Sequence, residues 1–237
     1  MRFATFDGKR ARPTPKLRGL CPSCAAEVVA KCGRHVVWHW AHLSRVTCDA
    51  WWENETEWHR NWKDRFPEEW QEVICVDNTS GEKHIADIQA PSGLTVEFQH
   101  SPISSTEVAS RESFYGNLLW VVDGCRNELD PNFFRLSLSK PVAEGTNEFP
   151  LRWWGPSKLF ANWATATKLV YFDFGHEDIL WRLLHFDRAT KAGAVKPYGR
   201  KALVTLWAEA SYPPPVGSTT SKIAVVEQAG RDDLGDA

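Results

Sequence analysis

The chain has 237 residues, with 28 Lys and Arg against 30 Asp and Glu and a formal net charge of -2. That balance excludes binding to nucleic acid through a global positive field, so any such contact must come from a local patch. No apolar run approaches the roughly 20 residues that cross a bilayer, and the first residues lack the apolar segment of a secretory signal, so a cytoplasmic protein with no membrane partner is expected.

Residues 1–18 are basic and polar, with Pro13 and Pro15, and read as a leading strand or arm. Residues 19–50 are rich in cysteine and histidine, in the pattern CPSC-(x14)-HWAH-(x5)-C. Six cysteines in a cytosolic chain argue for metal ligation or reduced thiols rather than disulfides. The two-residue gap between Cys21 and Cys24 turns both sulfurs toward one ion, which is half of a tetrahedral zinc site. The other half must come from His39, His42 and Cys48. Two histidines at this spacing cannot share a strand face, so His42 with Cys48 is favoured and His39 is the substitute. With every position filled, the Zn²⁺ would be structural. Cys32, Cys75 and Cys125 are isolated and read as buried apolar fillers. Seven of the 13 tryptophans lie between Trp38 and Trp70, as core packing or as stacking platforms for unstacked bases.

A helix is expected over 54–66, with Asn54 as N-cap and Pro67 as its stop. Glu55, His59 and Trp62 or Lys63 then fall on one face. A strand follows at 72–77, then a hairpin over 83–100 turning at Pro91-Ser92-Gly93. In that register Ala90 pairs with Leu94, Ile88 with Val96 and Ala86 with Phe98, which gathers the apolar residues on one face. The other face carries Asp87 opposite Glu97, flanked by Gln89 with Thr95 and Ile85 with Gln99. Like charges across a strand pair destabilise a sheet, so two readings stand: a shared divalent cation, or ordinary solvated acids on an edge hairpin.

Ser104 and Glu107 form the capping-box pattern of a helix over 105–117. Glu107, Arg111 and Tyr115 share its face, either as an exposed ion pair or as a phosphate-contacting Arg111 braced by Glu107. LLWVV at 118–122 reads as a strand buried on both sides. Further on, FRLSLS at 134–139 reads as a strand. KLVYFDF and ILWRLLHF read as a second hairpin around Gly175-His176-Glu177-Asp178, with a helix from Glu177 as the other option. KALVTLWAEA at 201–210 reads as a short helix, and the Pro-rich, then acidic stretch from Tyr212 as a mobile tail. The organisation expected is a zinc-binding module with its arm at 1–50, an α/β core at 51–150, an aromatic-rich region packed on that core at 151–211, and the tail at 212–237.

The segments CPSC, HWAHLSRVTC, ENETEWHRNWK, HIADI, VEFQHSPIS and SRESFYGNLLWVVD, spread over residues 19 to 123, together resemble the CoiA-like competence family, part of the PD-(D/E)XK nuclease superfamily. The resemblance implies an α/β (α+β) fold: a central mixed sheet flanked by helices as a nuclease-like core, a zinc-ribbon-like module before it and a C-terminal extension. It implies Mg²⁺- or Mn²⁺-dependent cleavage of DNA phosphodiesters, in competence, recombination or defence. Asp87 and Glu97 would be the Mg²⁺ ligands, with Gln99, Glu55 and His59 as further catalytic residues. Arg111, Tyr115, Lys63 and His84 would contact substrate. His84 is a departure, since an Arg is expected three residues before the Asp. Gln99 stands where the superfamily at large has Lys, and Lys63 or His59 would then supply the missing positive charge. The implied partners are DNA and recombination or defence proteins. The rival reading is a non-catalytic, zinc-containing nucleic-acid-binding adaptor.

Overall fold

The basic leading segment forms strands: β1 (Ala4–Phe6) and β2 (Lys9–Ala11) fold back on each other through Asp7 and Gly8, both at positive φ. This computed structural model describes residues 1–44, 48–141 and 146–208, so the tail read at 212–237 lies outside the described residues. The chain divides into two units, Met1–Gln89 and one beginning at Ala90.

In the first unit, β3 (Arg18–Leu20), β4 (Glu27–Lys31) and β5 (His39–His42) join β1 and β2 in the order β2-β1-β3-β4-β5, every pairing antiparallel. Alternation decides which side of β4 is covered: Val28 and Ala30 are buried among Ala4, Cys21 and Trp40, while Glu27 and Lys31 are exposed.

The helix of this unit, α1 (Glu57–Lys63), begins later than the sequence suggested. Its N-cap is Thr56, not Asn54: the Thr56 hydroxyl accepts the His59 N–H, and His59 Nδ1 accepts the Thr56 N–H in return. Glu55 therefore lies before the helix and shares no helical face with His59. The helix ends ahead of Pro67, whose ring disfavours a helical conformation in the residue before it. The next two strands, β6 (Gln71–Val76) and β7 (Lys83–Gln89), pair antiparallel, and β6 starts one residue before the strand expected at 72–77.

The second unit opens at the predicted turn. The Ala90 N–H donates to the Leu94 carbonyl across Pro91-Ser92-Gly93, and Gly93 sits at φ 80, where a side chain would be strained. Beyond it run β8 (Thr95–Gln99), β9 (Leu118–Asp123), β10 (Phe149–Arg152), β11 (Leu169–Asp173), β12 (Ile179–Asp187) and β13 (Ala192–Gly199). They lie in the order β8-β9-β11-β12-β13-β10. β9 is parallel to both β8 and β11, and every residue from Leu118 to Asp123 is buried, which is why LLWVV is continuously apolar. The remaining pairings are antiparallel, so the sheet is mixed. β11 and β12 form the expected hairpin, with no helix at Glu177.

Helix α2 (Ser105–Tyr115) is capped by Ser104, whose hydroxyl accepts the Glu107 N–H, and is ended by Gly116 at φ 66. The Glu107 side chain turns to Arg111. Residues 134–139 correct the sequence reading. They lie mostly in α3 (Asp130–Ser137), which starts with Pro131 in its first turn and buries Asp130, Phe134 and Ser137 on one face, while Leu138 makes an isolated bridge to Leu151. The helix expected at the carboxyl end is α4 (Arg200–Ala208). Trp120, Phe160, Phe172 and Leu151 centre the apolar cluster of this unit, and burying each stabilises by roughly 1.5–3 kcal/mol. The described residues thus form an α+β protein with a mixed sheet and four α-helices.

Candidate functional site

Two clusters of reactive side chains occupy the first unit, and a third lies in the second. The first is built on a turn and a strand end. Cys21 follows β3, and its N–H and carbonyl bond to Ala26 and Ala25, which curls the CPSC segment back so that Cys24 faces Cys21. His42 closes β5 and Cys48 comes a few residues later. Their ligand atoms all lie within 4.8 Å of one another, with Cys21 Sγ 3.7 Å from Cys48 Sγ and Cys24 Sγ 3.3 Å from His42 Nε2. Two thiolates bound to one zinc at about 2.3 Å and the tetrahedral angle stand roughly 3.8 Å apart. The donors fit that ion in type, number and spacing.

The electrostatics agree. Burial, then the negative charges of Cys21 and Cys24, push the Cys48 thiol up to about 12. Burial also opposes ionisation of Cys24, but the Ala26 backbone and bonds from Cys21 and Cys48 bring it below its ordinary value. Thiols this close ionise together only around a cation. Burial lowers the His42 pKa, which favours the neutral ring a metal requires. His39 is not in the cluster. It pairs with Lys31 at the other end of β5, and its Nδ1 donates to the Val37 carbonyl. The cluster thus contains His42, the histidine favoured from the sequence, and not His39. Cys32, Cys75 and Cys125 are reduced but half-buried, not the buried fillers expected.

The second cluster centres on Lys63. From the end of α1 its ammonium reaches Asp87 Oδ1 at 2.9 Å, Glu72 Oε1 at 3.3 Å and Glu55 Oε1 at 3.4 Å, with only 5% of the side chain exposed. Burial alone would lower the Lys63 pKa, but Asp87, Glu72 and Glu55 outweigh it and hold the group charged. Glu72, which sequence reasoning missed, sits across from Asp87 between the paired Gln71–Ile88 and Val73–Ala86. Its own backbone is left-handed, at φ 47, a strained conformation for a residue with a side chain. There the carboxylate accepts the Arg2 and Phe3 N–H groups as well as the Lys63 charge. Burial opposes its ionisation, but Lys63 and these N–H groups hold its pKa down at about 2. Glu55 pairs with Arg60 through Oε2, while its buried Oε1 accepts no hydrogen bond among the described residues. That oxygen faces the Lys63 ammonium as an ion pair and is a donor of the hard type a divalent cation takes.

Other candidates of this unit have structural partners. His59 closes the α1 cap through its ring. His84 is buried between Asp49 and Glu82, each 2.8 Å from one ring nitrogen, and stacks on Trp51. Of the clustered tryptophans, Trp40 and Trp62 are core residues, whereas Trp38 and Trp52 are 44% and 51% exposed.

The third cluster, in the second unit, holds Glu97 on β8 and Arg111 on α2. Arg111 Nη1 lies 3.3 Å from Glu97 Oε2, and its Nη2 donates to Glu107 Oε1 at 2.6 Å. The expected brace of Arg111 by Glu107 is present, but the guanidinium is buried and also engages Glu97. Tyr115 packs against the apolar cluster. The Gln99 side chain donates to the Ser101 carbonyl at 2.9 Å.

Residues 16–50 match the family model described as "Competence protein CoiA, N-terminal domain". The match spans β3 to β5 and all four residues of the Cys/His cluster, and it points to a competence-related protein. No curated protein matches the chain, and no solved structure does. Among the described residues, no helix is long and apolar enough to cross a membrane.

Proposed function

We propose that this protein is a metal-dependent DNA nuclease of the CoiA-like type, with a PD-(D/E)XK core, that hydrolyses phosphodiester bonds in DNA processing, recombination or defence. The observation that most supports this reading is Lys63 Nζ standing 2.9 Å from Asp87 Oδ1. It brings a fixed positive charge from a helix to Asp87, a charge that a Gln side chain such as Gln99 cannot carry.

In this reading Asp87 and Glu97 would hold a Mg²⁺ or Mn²⁺ ion, with Glu55 as a further carboxylate donor. When bound, the ion polarises the phosphoryl oxygen, lowers the pKa of its water and offsets charge in the transition state. The rest falls to the chain. Lys63 orients Asp87 and meets negative charge that develops on the phosphate. Arg111 tethers Glu97 and has the forked geometry to share a phosphate oxygen. Gln99 positions a water or phosphate by hydrogen bonding and takes no proton. The zinc of the Cys/His cluster keeps a structural role, since its four positions are filled by the chain.

The adaptor reading draws on the exposed Trp38 and Trp52, which suit base stacking without cleavage. One experiment separates the two. Zinc-loaded protein is incubated with linear, circular and branched DNA in Mg²⁺ or Mn²⁺, beside Asp87→Ala and Glu97→Ala. The nuclease reading expects cleavage that falls at least about 100-fold in either variant while DNA binding persists. Cleavage undiminished in both variants would overturn the assignment of residues. Binding without cleavage by the unaltered protein would favour the adaptor.

A further inference from the structure

The second unit carries a cavity of about 330 Å³ at the carboxyl ends of the parallel strands β8 and β9. That end of an open α/β sheet is where ligands collect, because the chains leaving adjacent strands diverge and leave a crevice. We propose that this cavity binds a phosphate monoester carried on a nucleoside, with Arg126 and Lys158 as its anion-binding residues.

The count of charged residues on the cavity wall is balanced, but their placement is not. Asp123 and Asp130 are buried, and internal donors take up their carboxylates. Asp123 Oδ2 lies 2.7 Å from His100 Nδ1, and Oδ1 accepts the Cys125 N–H. Asp130 Oδ1 lies 3.2 Å from Asn127 Nδ2, and the same carboxyl bonds Ser157. These acids brace His100, Asn127 and Ser157. Arg126 and Lys158 are exposed at the rim, so the charge presented to a ligand is positive. A planar guanidinium fork beside a mobile ammonium suits a dianion with several oxygens.

The lining also includes the apolar side chains of Ile103, Leu159 and Trp163, which suit the sugar and base that such a phosphate carries. The volume falls at the low end of small-molecule sites, enough for one nucleotide and too small for a duplex. The shared chemistry is a nucleoside 5′-phosphate, either free or at the end of a DNA strand. The inference does not depend on the nuclease reading, because neither Asp87 nor Glu97 lines the cavity.

Isothermal titration of the zinc-loaded full chain, without added Mg²⁺, tests it with dTMP against thymidine. dTMP is expected to bind at least about tenfold more tightly, and an Arg126→Ala/Lys158→Ala double variant should lose that preference while keeping its circular dichroism spectrum. Arg126→Lys should retain part of it, and Asp87→Ala all of it, which separates this site from the proposed catalytic one. Oligonucleotides differing only in a 5′ phosphate then identify the source: discrimination between them assigns a strand end, and binding of dTMP alone assigns a free nucleotide. Equal affinity for dTMP and thymidine, or a double variant that binds dTMP like the parent, would overturn the proposal.

Discussion

The Cys/His cluster and the Lys63 cluster sit in the same unit and solve opposite problems. The first gathers three thiols and an imidazole with no cation of its own, and burial, then the neighbouring thiolates, drive Cys48 up to about 12. The second gathers three carboxylates around a lysine that already neutralises part of their charge. A soft, self-repelling donor set needs an external ion to become stable. A hard set with an internal counter-ion folds without one and can exchange one later. By that contrast the first donor set is suited to a structural metal, and the second, in the nuclease reading proposed above, to chemistry.

The largest effect expected from breaking this contrast is on the thiol side. Cys21→Ser or Cys48→Ser, or zinc removal by a chelator, should strip bound zinc and destabilise the sheet β1 to β5 by several kcal/mol, since binding free energy at such sites is folding free energy. Zinc analysis with a thermal melt checks this. A melt that does not move would show that the cluster holds nothing the fold needs.

On the carboxylate side, Lys63→Met leaves Glu55, Glu72 and Asp87 without their shared cation and should cost about 3–5 kcal/mol at neutral pH. The pH dependence follows from Glu72. Its folded pKa, about 2, lies below the ordinary 4.5, so its contribution is complete above about pH 4.5 and is lost as the pH falls through about 2. Without Lys63 the folded value rises, so the variant should lose less on mild acidification than the parent does. Denaturant melts from pH 7 down to pH 3 measure both curves, and parallel curves would refute the coupling. The smallest effect is Thr56→Ala, which removes the α1 cap at about 1 kcal/mol and lowers Tm by roughly 2–4 °C.

What the sequence made legible follows from how many constraints each segment carries. LLWVV announces β9 because burial on both faces leaves no room for alternation. The Cys21–Cys24 gap announces the Cys/His cluster because that spacing turns two sulfurs toward one point. FRLSLS misleads: its strict alternation mimics a strand, while the helix is set upstream by Asp130 and Pro131. β13 (AGAVKPYG) hides because Gly193 and Pro197 disguise it, although Gly193 has a purpose: a Cβ there would come within 2.3 Å of the His185 carbonyl. Glu72 was illegible because its role depends on one left-handed residue within β6, and no local signal marks that backbone. His100 and Asp123 were missed because they meet only through the parallel pairing of β8 and β9, which no local pattern announces.

The placement of β9 between two parallel neighbours has a consequence for synthesis of the chain. Its second partner, Leu169–Asp173, is translated long after Leu118–Asp123, so this apolar strand leaves the ribosome with one edge unsatisfied. Until β11 arrives, that edge is a template for any other nascent chain. Slow translation or a pause between the two strands should therefore lower the soluble yield through mispairing, before stability of the finished fold is at issue.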